Sequence, residues 1–164
     1  MNDRMIPLKE LLPIIEQTLA EGKTVRFTPE GTSMRPMLTG GQDSVVLAPL
    51  PDRLRRYDAV LYRRDNGQFV LHRVLSGNGR EYICMGDAQF APERVRQDQM
   101  LAVVQSFTHR GKQIPVSSAG YRLYCRLWCG SRPARHFAGR ASGWLRRRLC
   151  KIHSARIGEK QKHE

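Results

Sequence analysis

The chain contains 164 residues (18.8 kDa), of which 28 are Lys or Arg and 15 are Asp or Glu, so that its formal charge is +13. A hydrophobic share of 40% at this length fits one domain with a short appendage, and it excludes a multidomain machine and wholesale disorder. The positive charge is concentrated late in the sequence, because residues 1–118 hold 16 basic and 13 acidic side chains whereas residues 119–164 hold 12 and 2.

The first 23 residues predict one amphipathic helix. Apolar side chains recur there at helical spacing, and they are Leu8, Leu11, Leu12, Ile15 and Leu19. Pro7 suits the first turn of a helix, and Gly22 suits its end. Because Pro13 lies inside the pattern, we expect it to kink the helix or to delay its start.

Residues 24–118 have the pattern of a mainly β domain. Short β-rich runs alternate there with turn residues, at residues 25–27, 44–47, 59–62, 69–75, 82–85 and 101–107. The Asp-Asn-Gly segment at residues 65–67 and the Gly-Asn-Gly segment at residues 77–79 predict tight hairpin turns.

The most distinctive segment of this domain is Gly-Thr-Ser-Met-Arg-Pro-Met-Leu at residues 31–38. Its Ser33 is a candidate nucleophile, and a serine hydroxyl needs a base that takes its proton. His72 is the candidate base, because strand alternation places it on one face of a strand with Val70 and Val74.

A catalytic imidazole also needs a group that holds its ring. Asp87, just after the following strand, is our candidate for this role beside His72, and Glu93 and Asp98 are competing carboxylates. Arg73 faces the other side of its strand, where we expect it to cover the sheet.

Five short segments follow one another in a suggestive order: Ser-Met-x-Pro-x-Leu, an Asp-led strand, Tyr-Asp-Ala-Val, His-Arg-Val and Gly-Asp. Over roughly residues 24–107 this order resembles the signal-peptidase and LexA-like serine peptidase superfamily. Bacterial signal peptidases and LexA-like repressors use a lysine base. The His-Arg-Val segment is therefore more similar to the archaeal and endoplasmic-reticulum subtype of signal peptidase, which uses histidine.

The resemblance implies a coiled, mixed β fold in which an extended peptide pairs with an edge strand beside the serine. It implies a serine endopeptidase without metal or organic cofactor, with Ser33 as nucleophile, His72 as general base and Asp87 as the Gly-Asp carboxylate. Glu93 stands nearest to the place of a second family aspartate. Since Gly31 replaces a serine that helps to bind the oxyanion in many signal peptidases, the backbone N–H of Ser33 is the expected oxyanion donor.

Residues 119–164 predict a basic, amphipathic helical segment with a disordered end. Apolar side chains alternate there with arginines at helical spacing, among them Leu123, Tyr124, Leu127, Trp128 and Trp144. This spacing favours an anionic membrane surface as the partner of residues 121–148. Nucleic acid is the weaker alternative, because phosphate contact needs only the arginines.

The sequence also bears on location. No run approaches the roughly 20 apolar residues that cross a bilayer, the first residues lack a secretion signal, and the four cysteines lack zinc-ligand spacing. We therefore expect no membrane anchor and a cytoplasmic protein with reduced thiols, located at the inner membrane face where residues 121–148 bind lipid. Two functions compete with a peptidase: an inactive peptide-binding module, and a nucleic-acid-binding protein that acts through its basic segment.

Overall fold

The computed structural model describes residues 8–135, in which eight strands lie between two helices. Helix α1 covers Leu8–Ala20 and helix α2 covers Ala119–Gly130. The strands are β1 (Val25–Phe27), β2 (Val45–Ala48), β3 (Ala59–Arg63), β4 (Phe69–Gly77), β5 (Glu81–Met85), β6 (Glu93–Arg96), β7 (Met100–His109) and β8 (Lys112–Pro115). The mainly β class that the sequence predicts is confirmed.

The strands form one antiparallel sheet in the order β1-β2-β7-β3-β4-β5-β6, and β8 pairs with β7. Strand β4 is therefore an interior strand, with β3 on one side and β5 on the other. The predicted turn at residues 65–67 joins β3 to β4. Gly67 adopts a φ of +81° there, which glycine accepts without strain, and its N–H donates to the Arg64 carbonyl.

The alternation along each strand divides the buried apolar side chains into two cores. Successive residues of β3 show the division, because Ala59 and Leu61 face one core whereas Val60 and Tyr62 face the other. We call the first the helix-side core, since α1 and α2 pack on it, and the second the far core.

Helix α1 begins at Leu8 and continues through Pro13. Of the two expected effects of this proline, a delayed start is therefore not seen, and a kink stays a prediction. Ile15 and Leu19 bury this helix against the helix-side core at 3% and 7% exposure. Burial of two such side chains contributes roughly 1.5–3 kcal/mol each. That gain offsets the cost of an interior proline, which is about 3 kcal/mol.

Two strands, β6 and β8, have no counterpart in the sequence prediction. Strand β6 is mostly charged, and Val95 is its one buried residue among four. Its pairing with β5, in which Glu93 lies opposite Cys84, forms the strand. Local sequence carries little signal for a strand of this kind, because long-range pairing rather than propensity determines it.

The described residues fall into two compact units, with the boundary after Arg126. In the first unit, Tyr121 and Cys125 of α2 are buried in the helix-side core, whereas Leu123 is 56% exposed. None of the helices within residues 8–135 is long and apolar enough to cross a bilayer. The predicted lipid-binding residues from 136 to 148, Trp144 included, lie outside the described residues.

Candidate active site

His72 lies in the middle of β4 on the side of the far core. It is opposite Val60 in the β3–β4 ladder, and Val60, Val70 and Val74 all belong to the far core, as strand alternation predicts. The His72 side chain is almost fully buried, at 1% exposure. The interior strand therefore holds the imidazole on a rigid platform.

A carboxylate and a phenol share the Nδ1 atom of His72. Glu93 Oε1 lies 3.0 Å from Nδ1, and Tyr62 Oη lies 2.9 Å from it. The Tyr62 hydroxyl also donates a hydrogen bond to Glu93 Oε1. From the other side, Arg64 donates through Nε to Oε2 and through Nη2 to Oε1 of Glu93, both at 2.8 Å. This forked contact fixes the carboxylate through both of its oxygens.

The electrostatics of this group suit a general base. Burial lowers the pKa of the His72 imidazole, and the nearby Glu93 carboxylate opposes that effect without reversing it. Burial alone would raise the pKa of Glu93, but hydrogen bonds from Arg64 and Tyr62 bring it below its ordinary value. At neutral pH a neutral imidazole therefore faces an ionised carboxylate, which is the protonation state that a general base requires.

The structure corrects the assignment of Asp87 as the group that orients His72. Asp87 Oδ1 accepts a hydrogen bond from Arg73 Nε at 2.8 Å, and Oδ2 accepts one from Arg73 Nη2 at 2.7 Å. Arg73 is the residue after His72, so strand alternation places this ion pair on the opposite face of β4. The carboxylate at Nδ1 is Glu93, whereas Asp98 pairs with Arg96 on the surface.

Arg73 does not cover the sheet as expected but is completely buried. Besides Asp87, its guanidinium donates to four acceptors, which are the Tyr57 carbonyl, Tyr121 Oη, Cys125 Sγ and Met37 Sδ. Burial opposes its charge, but the hydrogen bonds to Asp87 hold the pKa of Arg73 well above its usual range. This arginine therefore joins the sheet, the serine loop and α2 through one charged group.

Ser33 lies in the loop between β1 and β2, half-buried. Met34, Met37 and Leu38 follow it and anchor the loop in the helix-side core. The Ser33 carbonyl accepts a hydrogen bond of 2.8 Å from the Ala88 N–H. A Cβ atom on Gly86 would lie 2.6 Å from the Ser33 carbonyl oxygen and 3.0 Å from Ser33 Cβ. Only a glycine at position 86 therefore lets the serine approach this closely.

The strand register relates Ser33 to His72. The β4–β5 ladder ends with Arg73 opposite Met85, and Gly86 follows Met85 directly. An extension of that register by one residue would bring Gly86 opposite His72, on the same face of the sheet, and Ser33 contacts Gly86. Among the described residues, no hydrogen bond joins the Ser33 hydroxyl to His72. Such contacts are often long without substrate and shorten in the bound complex.

Sequence reasoning missed three residues of this site. Tyr62 resembles an ordinary sheet aromatic, and Arg64 precedes a turn, so neither carries a local signal. Gly86 was visible only as part of the Gly-Asp motif. Strand alternation and the β3–β4 turn were available as signals, since together they place Tyr62 diagonally across from His72, with ring centroids 6.0 Å apart.

Within residues 8–135, no group of His, Cys, Asp and Glu side chains is arranged to hold a metal ion. The site instead contains a histidine and a carboxylate on strands of one sheet, with Ser33 in a loop that contacts Gly86. A scan against known protein families finds none that matches the chain, and a search of curated proteins finds no match either.

Proposed function

We propose that this chain is a serine endopeptidase with a signal-peptidase or LexA-like β domain, in which Ser33 is the nucleophile and His72 the general base. The observation that carries the proposal is the buried, neutral His72 held at Nδ1 by an ionised carboxylate. An orienting carboxylate on one ring nitrogen leaves the other nitrogen to accept a proton. The seat of Ser33 on Gly86 supports the same reading, because an extension of the β4–β5 register would bring the serine to the imidazole's face of the sheet.

The reaction is an acyl transfer. His72 Nε2 takes the hydroxyl proton while Ser33 Oγ forms a bond to the peptide carbonyl carbon, and the backbone N–H of Ser33 binds the oxyanion. The tetrahedral intermediate then breaks its C–N bond, and His72 gives the proton to the leaving amine. A water molecule, deprotonated by His72, hydrolyses the acyl-enzyme and releases Ser33. Glu93 stays ionised throughout and stabilises the imidazolium that forms.

An extended peptide segment of a precursor protein is the substrate that we propose. Strands β1 and β6 end the strand order of the described sheet. Strand β6 begins with Glu93, which contacts His72, so a peptide strand added at this edge would lie near the site. We further propose that the protein acts in the cytoplasm at an anionic membrane surface, which the excess of basic residues in 119–164 supports.

A second candidate is a peptide-binding module without catalysis. The observation that favours it is the separation of Ser33 from His72, because no hydrogen bond joins them within residues 8–135. A binding module would keep the edge strands and would not need an activated serine. Reactivity of the Ser33 hydroxyl therefore decides between the two functions.

The test is labelling of the purified protein by a fluorescent fluorophosphonate, which reacts with activated serines. We expect labelling of the wild type and its loss in Ser33→Ala and His72→Ala. Ser76→Ala and His109→Ala are the matched controls, since Ser76 is exposed on β4 and His109 bonds to Asp43 away from His72. Both controls should label like the wild type.

Absence of labelling in a folded wild-type protein, with phospholipid vesicles supplied, would refute the peptidase and leave the binding module. Labelling that survives in His72→Ala would also contradict the proposal, because the serine would then be activated without the proposed base.

A further inference from the structure

The hydroxyl of Tyr62 is placed where it can control the protonation of His72. Tyr62 is fully buried in the far core, at 0% exposure, and its ring meets the imidazole edge-on. A buried hydroxyl must find hydrogen-bond partners. The partners of Tyr62 are the two groups on which the proposed base depends, His72 Nδ1 and Glu93 Oε1.

A count of protons assigns the direction of these bonds. Ionised Glu93 can only accept, and the phenol has one proton, which it donates to Glu93. The Tyr62 oxygen can then only accept from His72, so Nδ1 must carry the ring proton. The opposite tautomer would set the Nδ1 lone pair 3.0 Å from a carboxylate oxygen, which is repulsive.

We propose that Tyr62 is a positioning residue of the site: its hydroxyl ties His72 Nδ1 to Glu93, keeps the ring proton on Nδ1 and partly neutralises the carboxylate that the imidazole faces. Nε2 is thereby left unprotonated and able to accept a proton. The identification of His72 as the base rests on the proposed function, whereas the tautomer does not.

The surroundings of Tyr62 keep its phenol protonated. Burial, together with the hydrogen bond to Glu93, raises the pKa of Tyr62 far above its ordinary value. The charged and titratable groups that face this cluster come from three places: Arg64 after β3, Cys84 on β5 and Glu93 on β6. Asp87 acts on His72 through its charge alone, from the opposite face of β4. Burial raises the pKa of Cys84 to about 12, so it stays a neutral thiol in the physiological range.

The experiment is ¹⁵N NMR of histidine-labelled protein, in which the long-range couplings of each ring nitrogen show which one carries the proton. His72→Ala identifies the His72 signals. In the wild type we expect neutral His72 to be protonated at Nδ1. In Tyr62→Phe the carboxylate acts on the imidazole without its phenol donor, so we expect the pKa of His72 to rise while the neutral ring keeps its proton on Nδ1.

Tyr82→Phe is the matched control. Tyr82 is a buried tyrosine of the far core on β5, and its hydroxyl has no hydrogen-bond partner among the described residues. Removal of that hydroxyl should leave both the tautomer and the pKa of His72 unchanged. A loss of packing alone would therefore not imitate the effect expected for Tyr62→Phe.

Two results of the NMR experiment would overturn the inference. One is wild-type His72 with its proton on Nε2, a measurement that needs no variant and so does not depend on the folding of Tyr62→Phe. The other is a folded Tyr62→Phe protein in which the pKa of His72 does not move.

Fluorophosphonate labelling separates the inference from the proposed function. We expect Tyr62→Phe to label roughly tenfold more slowly than wild type, with the acid limb of its pH profile shifted to higher pH. An Nδ1-protonated His72 in a protein that never labels would refute the peptidase and leave the role of Tyr62 standing. Labelling of wild type and Tyr62→Phe at equal rates with identical pH profiles would refute the role of Tyr62 and leave the proposed peptidase function standing.

Discussion

The two faces of β4 place neighbouring residues in opposite circumstances. On one face, His72 bonds to a network that reaches the surface, since the side chains of Glu93 and Arg64 are 27% and 33% exposed. On the other face, Arg73 and Asp87 form an ion pair that is completely buried. The first arrangement can exchange protons with solvent and tune a base, whereas the second fixes the position of segments around it. Two adjacent residues of one strand thus have different roles: His72 belongs to the proposed site, and Arg73 stabilises the fold.

Removal of Asp87 should have the largest effect on stability. Asp87→Ala leaves the Arg73 charge buried without its carboxylate, which should lower the free energy of unfolding by about 3–5 kcal/mol. Urea denaturation measures the loss. Asp65→Ala is the control, because its ion pair with Arg96 is exposed and screened by water, so its removal should cost far less. Equal losses of stability in the two variants would contradict the claim that the buried Arg73–Asp87 pair stabilises the fold.

Removal of the Glu93 charge should affect the reactivity of Ser33 strongly and the stability of the fold more weakly. In Glu93→Gln the imidazole loses the carboxylate at Nδ1, so fluorophosphonate labelling should slow by roughly 100-fold or more. Its free energy of unfolding should fall by about 1–3 kcal/mol, less than in Asp87→Ala, because the amide oxygen can still accept but the NH2 group cannot replace the other acceptor oxygen. Glu81→Gln, an exposed change on β5, should label normally. A normal labelling rate in Glu93→Gln would show that Glu93 does not hold the base.

Gly86→Ala tests the contact between Gly86 and Ser33. The new methyl group would meet the Ser33 carbonyl oxygen at 2.6 Å, so the serine loop must move. We expect strong loss of labelling and a stability loss of about 1–3 kcal/mol. Gly120→Ala is the control, since a Cβ there meets nothing within 4 Å, and in a helix alanine is favoured. Unchanged labelling in Gly86→Ala would contradict the proposed seat of the nucleophile.

His72 should make a smaller contribution to stability than the groups above, and it should be visible in the pH dependence of the free energy of unfolding. The pKa of folded His72 lies below its ordinary value of about 6.5, so the unfolded chain binds more protons at mildly acid pH. Stability due to this residue is therefore fully present above pH ~6.5 and falls as the pH is lowered from there, by at most about 1.4 kcal/mol per pH unit. Chemical denaturation at several pH values between about 5 and 6.5 measures this effect: in His72→Gln the free energy of unfolding should change less steeply with pH than in the wild type. An equal slope would mean that His72 is not held neutral.

The parts of this arrangement that depend on local pattern could be predicted from sequence. The alternation of residues 69–75 placed His72 and Arg73 on opposite faces, and Asp-Asn-Gly predicted the turn between β3 and β4. Ser33 was recognisable from the motif around it. In each case the information lies within a few residues of the feature.

The choice of carboxylate could not be predicted in this way. Glu93 reaches His72 across β5, and the charged strand that positions it forms by pairing rather than by propensity. The burial of Arg73 needs acceptors from several distant segments, including Tyr121 of α2. No local sequence pattern predicts these contacts. Long-range register therefore decided which acid contacts His72.

The most direct test of the central claim is mass spectrometry of the protein after reaction with a fluorophosphonate at neutral pH. The account predicts one adduct, on the peptide that contains Ser33, formed by wild type but neither by His72→Ala nor by urea-unfolded protein. An adduct on another serine, or equal modification of Ser33 in His72→Ala, would contradict it.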